Sequence, residues 1–108
     1  MKYIVLRRGI FEYPVIFPST FVHAHVAGIV KAMWWQEALL LAEISPQEKI
    51  KQKFLQAIVT VSAGDYNPAT GQCSGSSETL GLGSRGSEDE RLIMTIDYGG
   101  NYADHSSD

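Results

Sequence analysis

The stretch from Ile29 to Ile58, IVKAMWWQEALLLAEISPQEKIKQKFLQAI, constrains this chain more than any other. It holds both tryptophans and the densest apolar run, and Ser45-Pro46 interrupts it. The pattern reads as two helices with a hinge between them. Ser45 supplies a side-chain oxygen for an orphan amide of the second helix. Pro46 falls at the first helical position, where a missing N–H costs nothing. Glu48, three residues after Ser45, completes a capping box. Beyond it Ile50, Phe54, Ala57 and Ile58 recur at helical spacing, with Lys49, Lys51 and Lys53 left for solvent.

The first helix keeps little polar surface. Trp34, Ala38, Leu41 and Ala42 mark one face, and Trp35, Leu39 and Leu40 carry the apolar surface around the cylinder. Such a helix is either central to the core or covered by another subunit. The second case makes Trp34, Trp35 and Leu39 the anchors of a homo-oligomeric interface, because tryptophan is enriched at interface hot spots.

The remaining chain supplies strands for this pair to cover. Tyr3 to Leu6 and Ile10 to Phe17 have strand composition, so residues 2–17 read as a β-hairpin. Pro14 cannot donate to a ladder, which places the second strand at an edge or breaks it. Phe21 to Val26 is either linker or a helix that starts near Ala24. Ala57 to Ala63 alternates as a buried strand, followed by turn chemistry from Gly64 to Pro68. Short strands are expected near Gln72–Ser74 and Glu78–Leu82. Ser87 and Glu90 form another capping box, with Glu88 and Asp89 complementing the helix dipole. Leu92, Ile93 and Ile96 then form an apolar helix face, although a strand across Leu92–Tyr98 competes. Gly99-Gly100 ends the element.

The expected fold class is therefore α+β. A small antiparallel sheet, the N-terminal hairpin plus central strands, packs against two helices joined at Ser45-Pro46. Residues 1–100 form one domain and residues 101–108 a flexible tail. At 108 residues and 44% hydrophobic, the chain supports one core without disulfides or metal. Cys73 is the single cysteine, so neither a disulfide framework nor a cysteine-rich zinc site is expected.

Charge excludes further classes. The net charge is −3. Residues 1–53 hold most of the lysine and arginine, and residues 54–108 most of the acid. Binding to a nucleic-acid backbone needs a basic face that this balance does not supply. No secretory signal and no stretch of the ~18 apolar residues needed for a membrane span is visible. The cytoplasm is the expected location.

Three features bear on chemistry. Gly81 to Gly86 spells G-x-G-x-x-G, but too little chain follows to build a dinucleotide fold. What survives is a possible anion or nucleotide loop of Gly83, Ser84, Arg85, Gly86 and Ser87 at a helix N-terminus, with Arg85 as counter-charge. Glu88, Asp89 and Glu90 oppose that use. His23 and His25 share a face on a strand but diverge on a helix, and no further ligands complete a metal site. No nucleophile elbow or phosphate loop occurs. No catalytic residue, metal or cofactor is expected.

Four blocks carry a family resemblance: Tyr13–Pro18 (YPVIFP), Val22–Ala27 (VHAHVA), Val61–Gly64 (VSAG) and Glu78–Ile93 (ETLGLGSRGSEDERLI). Together they resemble small, mostly uncharacterised proteins encoded by tailed phages and prophages. The segment Lys31–Phe54 is longer than expected for that group. The resemblance implies a non-enzymatic phage or prophage accessory protein that binds a host protein. The alternative is a small-molecule binder that holds an anionic metabolite or nucleotide at Gly81–Ser87.

Overall fold

The computed structural model describes residues 1–42 and 47–106, with side-chain surroundings for 1–41 and 47–96. The fold is α+β. Strands β1 (Lys2–Arg8) and β2 (Phe11–Phe17) precede helices α1 (His23–Ala42) and α2 (Glu48–Gln56). Strands β3 (Ile58–Asn67), β4 (Gln72–Ser74), β5 (Ser76–Ser77) and β6 (Leu82–Gly83) follow, and helix α3 (Ser87–Ser106) comes last. The main sheet is antiparallel in the order β2-β1-β3-β4, and β5 pairs with β6 separately.

The hairpin forms as expected, around a two-residue turn at Gly9-Ile10. Gly9 takes a φ of 64°, which the tight turn demands and side chains resist. Pro14 pairs with Val5 inside an unbroken ladder. Its missing donor therefore belongs on the outer side of β2, which is a sheet edge.

Strand β1 is central and covered on both sides. Tyr3, Ile4, Val5 and Leu6 are all fully buried. Side chains alternate across a strand, so the four divide between two cores. Ile4 and Leu6 join Phe17, Val26, Ala27, Ile58 and Ala63 beneath α1 and α2, with Trp34 and Phe54 packed on the margin. Tyr3 and Val5 join Cys73 and Ile93 beneath α3.

A bulge in β3 makes this division possible. Val5 pairs with Ser62 but Leu6 pairs with Thr60, so Val61 is the surplus residue. The extra residue shifts which side chains face which layer. Ile58 and Ala63, an odd number apart, thereby share the α1 core, while Ser62 turns toward α3.

Several expectations need correction. For FVHAHV the helical alternative holds, with α1 starting at His23, beside the expected Ala24. Glu78–Leu82 is not one strand: β5 and β6 flank a turn that ends at Gly81, whose φ is 63°. The element after Ser87 is a helix, and it runs to Ser106, through the Gly99-Gly100 pair. The expected Ser45-Pro46 cap lies outside the described residues, and α2 is described with Gln47 at its N-cap. Residues 107–108 of the expected tail also lie outside them.

Candidate functional site

The Gly81–Ser87 loop, read from sequence as an anion or nucleotide loop, borders a closed polar network centred on Asp89. Asp89 is fully buried in the first turn of α3. Its Oδ2 accepts hydrogen bonds from the Tyr3 hydroxyl at 2.5 Å and the Arg85 backbone N–H at 2.9 Å. Its Oδ1 accepts from the Ser62 hydroxyl at 3.0 Å and Arg85 Nε at 2.9 Å. Four donors thus satisfy one carboxylate.

The hydroxyl protons can be assigned. Tyr3 Oη also lies 2.6 Å from Ser84 Oγ. A phenol has one proton, and it goes to the charged acceptor, Asp89. Ser84 therefore donates to Tyr3, while its own oxygen accepts the Gly86 N–H at 3.0 Å. Among the described residues no buried side-chain polar atom lacks a partner.

Arg85 closes the circuit at the surface. Its Nη2 and Nη1 donate to the two Glu12 oxygens at 2.8 and 3.2 Å. Glu88 stands 3.5 Å from Nη1. Three carboxylates thus surround the one guanidinium. The hydrogen bond to Glu12 heads the causes that raise the Arg85 pKa above its ordinary value. The same bond holds Glu12 below the usual carboxylate range. For Asp89, burial pushes the pKa up, but hydrogen bonds from Tyr3, the Arg85 backbone and Ser62, with the Arg85 charge, outweigh it and keep the group low. Burial, then the Asp89 hydrogen bond, pushes the Tyr3 phenol up.

Arg85, expected as counter-charge for an incoming anion, is engaged within the chain. Its donors are already directed at Glu12 and Asp89, and a phosphate would meet three nearby carboxylates. Gly83 lies in β6 and Ser87 opens α3, and between them Ser84 binds the Tyr3 hydroxyl and the Gly86 N–H rather than an external group. The site that sequence reading missed consists of Tyr3, Glu12, Ser62 and Asp89. The one local signal was the Arg85–Asp89 spacing of four.

The histidines do not converge. On α1 they point apart, as helical geometry requires. His23 is buried and its Nε2 donates to the Gly64 carbonyl at 2.9 Å, while its ring meets Phe17 edge-on. His25 is exposed. Gly64 is needed there, since a Cβ would collide with the Ser74 carbonyl oxygen. Among the described residues no group of three His, Cys, Asp or Glu side chains could hold a metal. Cys73 is buried beside Asp89 and Glu90, and burial pushes its thiol up to about 11. Such a thiol is a poor nucleophile at neutral pH.

The expected interface residues are placed differently from one another. Trp35 is buried, its ring 5.4 Å from that of Phe54, so it cannot anchor a partner. Trp34 is half-buried, edge-on to Tyr13 at 5.2 Å. Leu39 is half-buried. The exposed apolar residues of α1 are Ile29, Met33, Leu40 and Leu41. A second exposed group, Ile10, Phe11 and Tyr13, lies at the hairpin tip. Between β2 and α3 an apolar cleft of about 180 Å³ is lined by Pro14, Ile16, Ile93 and Ile96. No described helix is long and apolar enough to cross a membrane.

Comparison of the chain with family models, with curated proteins and with solved structures finds no match in any of the three.

Proposed function

We propose that the chain is a non-enzymatic phage or prophage accessory protein that binds a host protein through its hairpin tip. The observation that carries this reading is the exposure of that tip: Ile10 is 88% exposed and Phe11 61%. Their backbone is held by the β1–β2 ladder and a two-residue turn, so little ordering is needed on binding. Arg7 and Arg8 are exposed beside them. Aromatic residues and arginine are the types enriched at interface cores. The complementary partner surface is an apolar pocket with an acidic rim. The phage and host context comes from the sequence resemblance.

The test is a pulldown from bacterial host lysate with the wild-type chain and with Ile10→Asp/Phe11→Ser. One protein recovered stoichiometrically by the wild type, and lost with the folded variant, supports the reading. Equal recovery by both relocates the surface, and no specific recovery ends the proposal.

A further inference from the structure

We infer that the outer edge of β2 takes an extended peptide as an added antiparallel strand, whose aliphatic side chains enter the cleft between β2 and α3. The inference is independent of the hairpin-tip reading, since it uses the free edge of the strand rather than the turn.

The backbone says what kind of guest fits. β2 pairs only with β1, so its other side is an open edge. In an antiparallel ladder, residues alternate between exchanging both hydrogen bonds with the partner and turning both groups away from it. The two-residue turn is closed by a bonded pair, Arg8 and Phe11. Phe11, Tyr13, Val15 and Phe17 therefore bond to β1, and Glu12, Pro14 and Ile16 turn outward. Pro14, with no N–H to give, falls in the outward set, as its unbroken ladder requires. The edge thus presents the N–H and C=O of Glu12, the C=O of Pro14, and the N–H and C=O of Ile16. Among the described residues none of these groups has a hydrogen-bond partner within the chain. The surface complementary to such a row is another extended backbone.

The side chains say which sequence fits. Glu12, Pro14 and Ile16 share the α3 side of the strand. Ile16 packs on the cluster of Tyr3 and Val5, and Glu12 binds Arg85. A groove follows these three residues along α3. Its apolar end is the cleft formed with Ile93 and Ile96. Its polar end is a hollow of about 300 Å³ bordered by Glu12, Glu88 and Arg91. Residues directly opposite one another in a ladder point to the same face. Guest residues opposite Ile16 and Pro14 therefore enter the apolar end, and the one opposite Glu12 reaches the polar end. There Glu12, Glu88 and Asp89 outnumber Arg85 and Arg91, so that guest residue is basic. Read from its amino end, the guest is aliphatic-x-aliphatic-x-Lys or Arg.

Pro14 narrows the occupant further. A guest with an ordinary residue opposite it loses one hydrogen bond from the register. A second copy of β2, paired antiparallel over the same three residues, would set Pro14 against Pro14 and lose two. The edge therefore favours a different chain over its own copy, and a short segment over a long strand.

A fluorescent peptide, Thr-Val-Thr-Val-Thr-Lys-Thr, titrated by anisotropy against the full chain up to about 1 mM, tests the proposal, and saturable binding is expected. Ile96→Asp, at a position 52% exposed, should weaken it at least roughly tenfold, with circular dichroism checking the fold. Methylating the backbone nitrogen of the second valine, which removes the donor to the Pro14 carbonyl and keeps every side chain, should weaken it as well. Amide exchange followed by NMR reads the register: bound peptide should slow exchange at Glu12 and Ile16. No saturable binding, binding unmoved by Ile96→Asp or by the methylated peptide, or unslowed exchange at Glu12 and Ile16 overturns the proposal. Slowing of those two amides in the chain alone, growing with its concentration, gives the edge to a second copy and overturns it too.

Discussion

The two faces of the sheet hold their helices by different means. Beneath α1 and α2 the contacts are mostly apolar: Ile4, Leu6, Phe17 and Ile58 meet Val26, Ala27 and the margins of Trp34 and Phe54, with one buried hydrogen bond from His23 to the Gly64 carbonyl. Beneath α3 the apolar patch is smaller, and a buried carboxylate supplies the anchor. The first kind of contact is non-directional and tolerates rearrangement. The second fixes one geometry, because every hydrogen bond to Asp89 specifies a distance and an angle. The same short strand serves both, through alternate side chains. The difference teaches that α3 is positioned chiefly by directed hydrogen bonds, while α1 and α2 are positioned chiefly by volume.

Substitutions can break or sharpen this contrast. Asp89→Ala should show the largest effect, about 3–5 kcal/mol in urea unfolding, because it leaves buried donors and Arg85 without their acceptor. Leu6→Ala, on the other face, should cost about 3 kcal/mol through the cavity it leaves. If Leu6→Ala proved far costlier than Asp89→Ala, the contrast would be reversed.

Acidity separates the two faces more cleanly. The folded-state pKa values of Asp89 and Glu12 lie below their ordinary values. Their stabilisation is therefore fully present above the unfolded-state values, about 4, and is lost as pH falls through the lower folded-state ones. Wild-type stability, followed by thermal melts, should fall on acidification below about pH 5. In Asp89→Ala that acid dependence should flatten, whereas in Leu6→Ala it should match the wild type. Tyr3→Phe comes next, at about 1–2 kcal/mol, since it removes one donor to Asp89 and leaves Ser84 without its acceptor. The smallest effect belongs to Ile10→Ser at the hairpin tip, within about 0.5 kcal/mol. A larger loss there, in the same unfolding measurement, would mean that the tip contributes to the fold.

Much of the apolar side was legible in the sequence, and much of the polar side was not. The hairpin, the edge position of Pro14, the strand after the second helix and a helix beginning at Ser87 all follow from local rules, but the expected Ser87–Glu90 capping box does not form, because the Glu90 carboxylate accepts the Cys73 N–H instead. Periodicity reports one neighbour at a time, and these elements are local. The Asp89 network joins residues up to 86 positions apart. From sequence, Asp89 was one of three acids at a helix start, suited to the dipole and to solvent. Nothing in that run tells which of Glu88, Asp89 and Glu90 turns inward. Tyr3 read as an ordinary strand residue, and its hydroxyl acquired a role only when α3 was laid across it.

One surplus residue decides whether any of this can happen. Val61 changes the parity of β3, so that the strand enters with one set of side chains facing α1 and leaves with the other. Pairing it in register, with no bulge, would turn over the half of β3 beyond it, driving Ser62 into the oily layer and drawing Ala63 up against a carboxylate. Deleting it would leave Thr60 opposite Leu6 and Ser62 opposite Val5, facing the layers they already face.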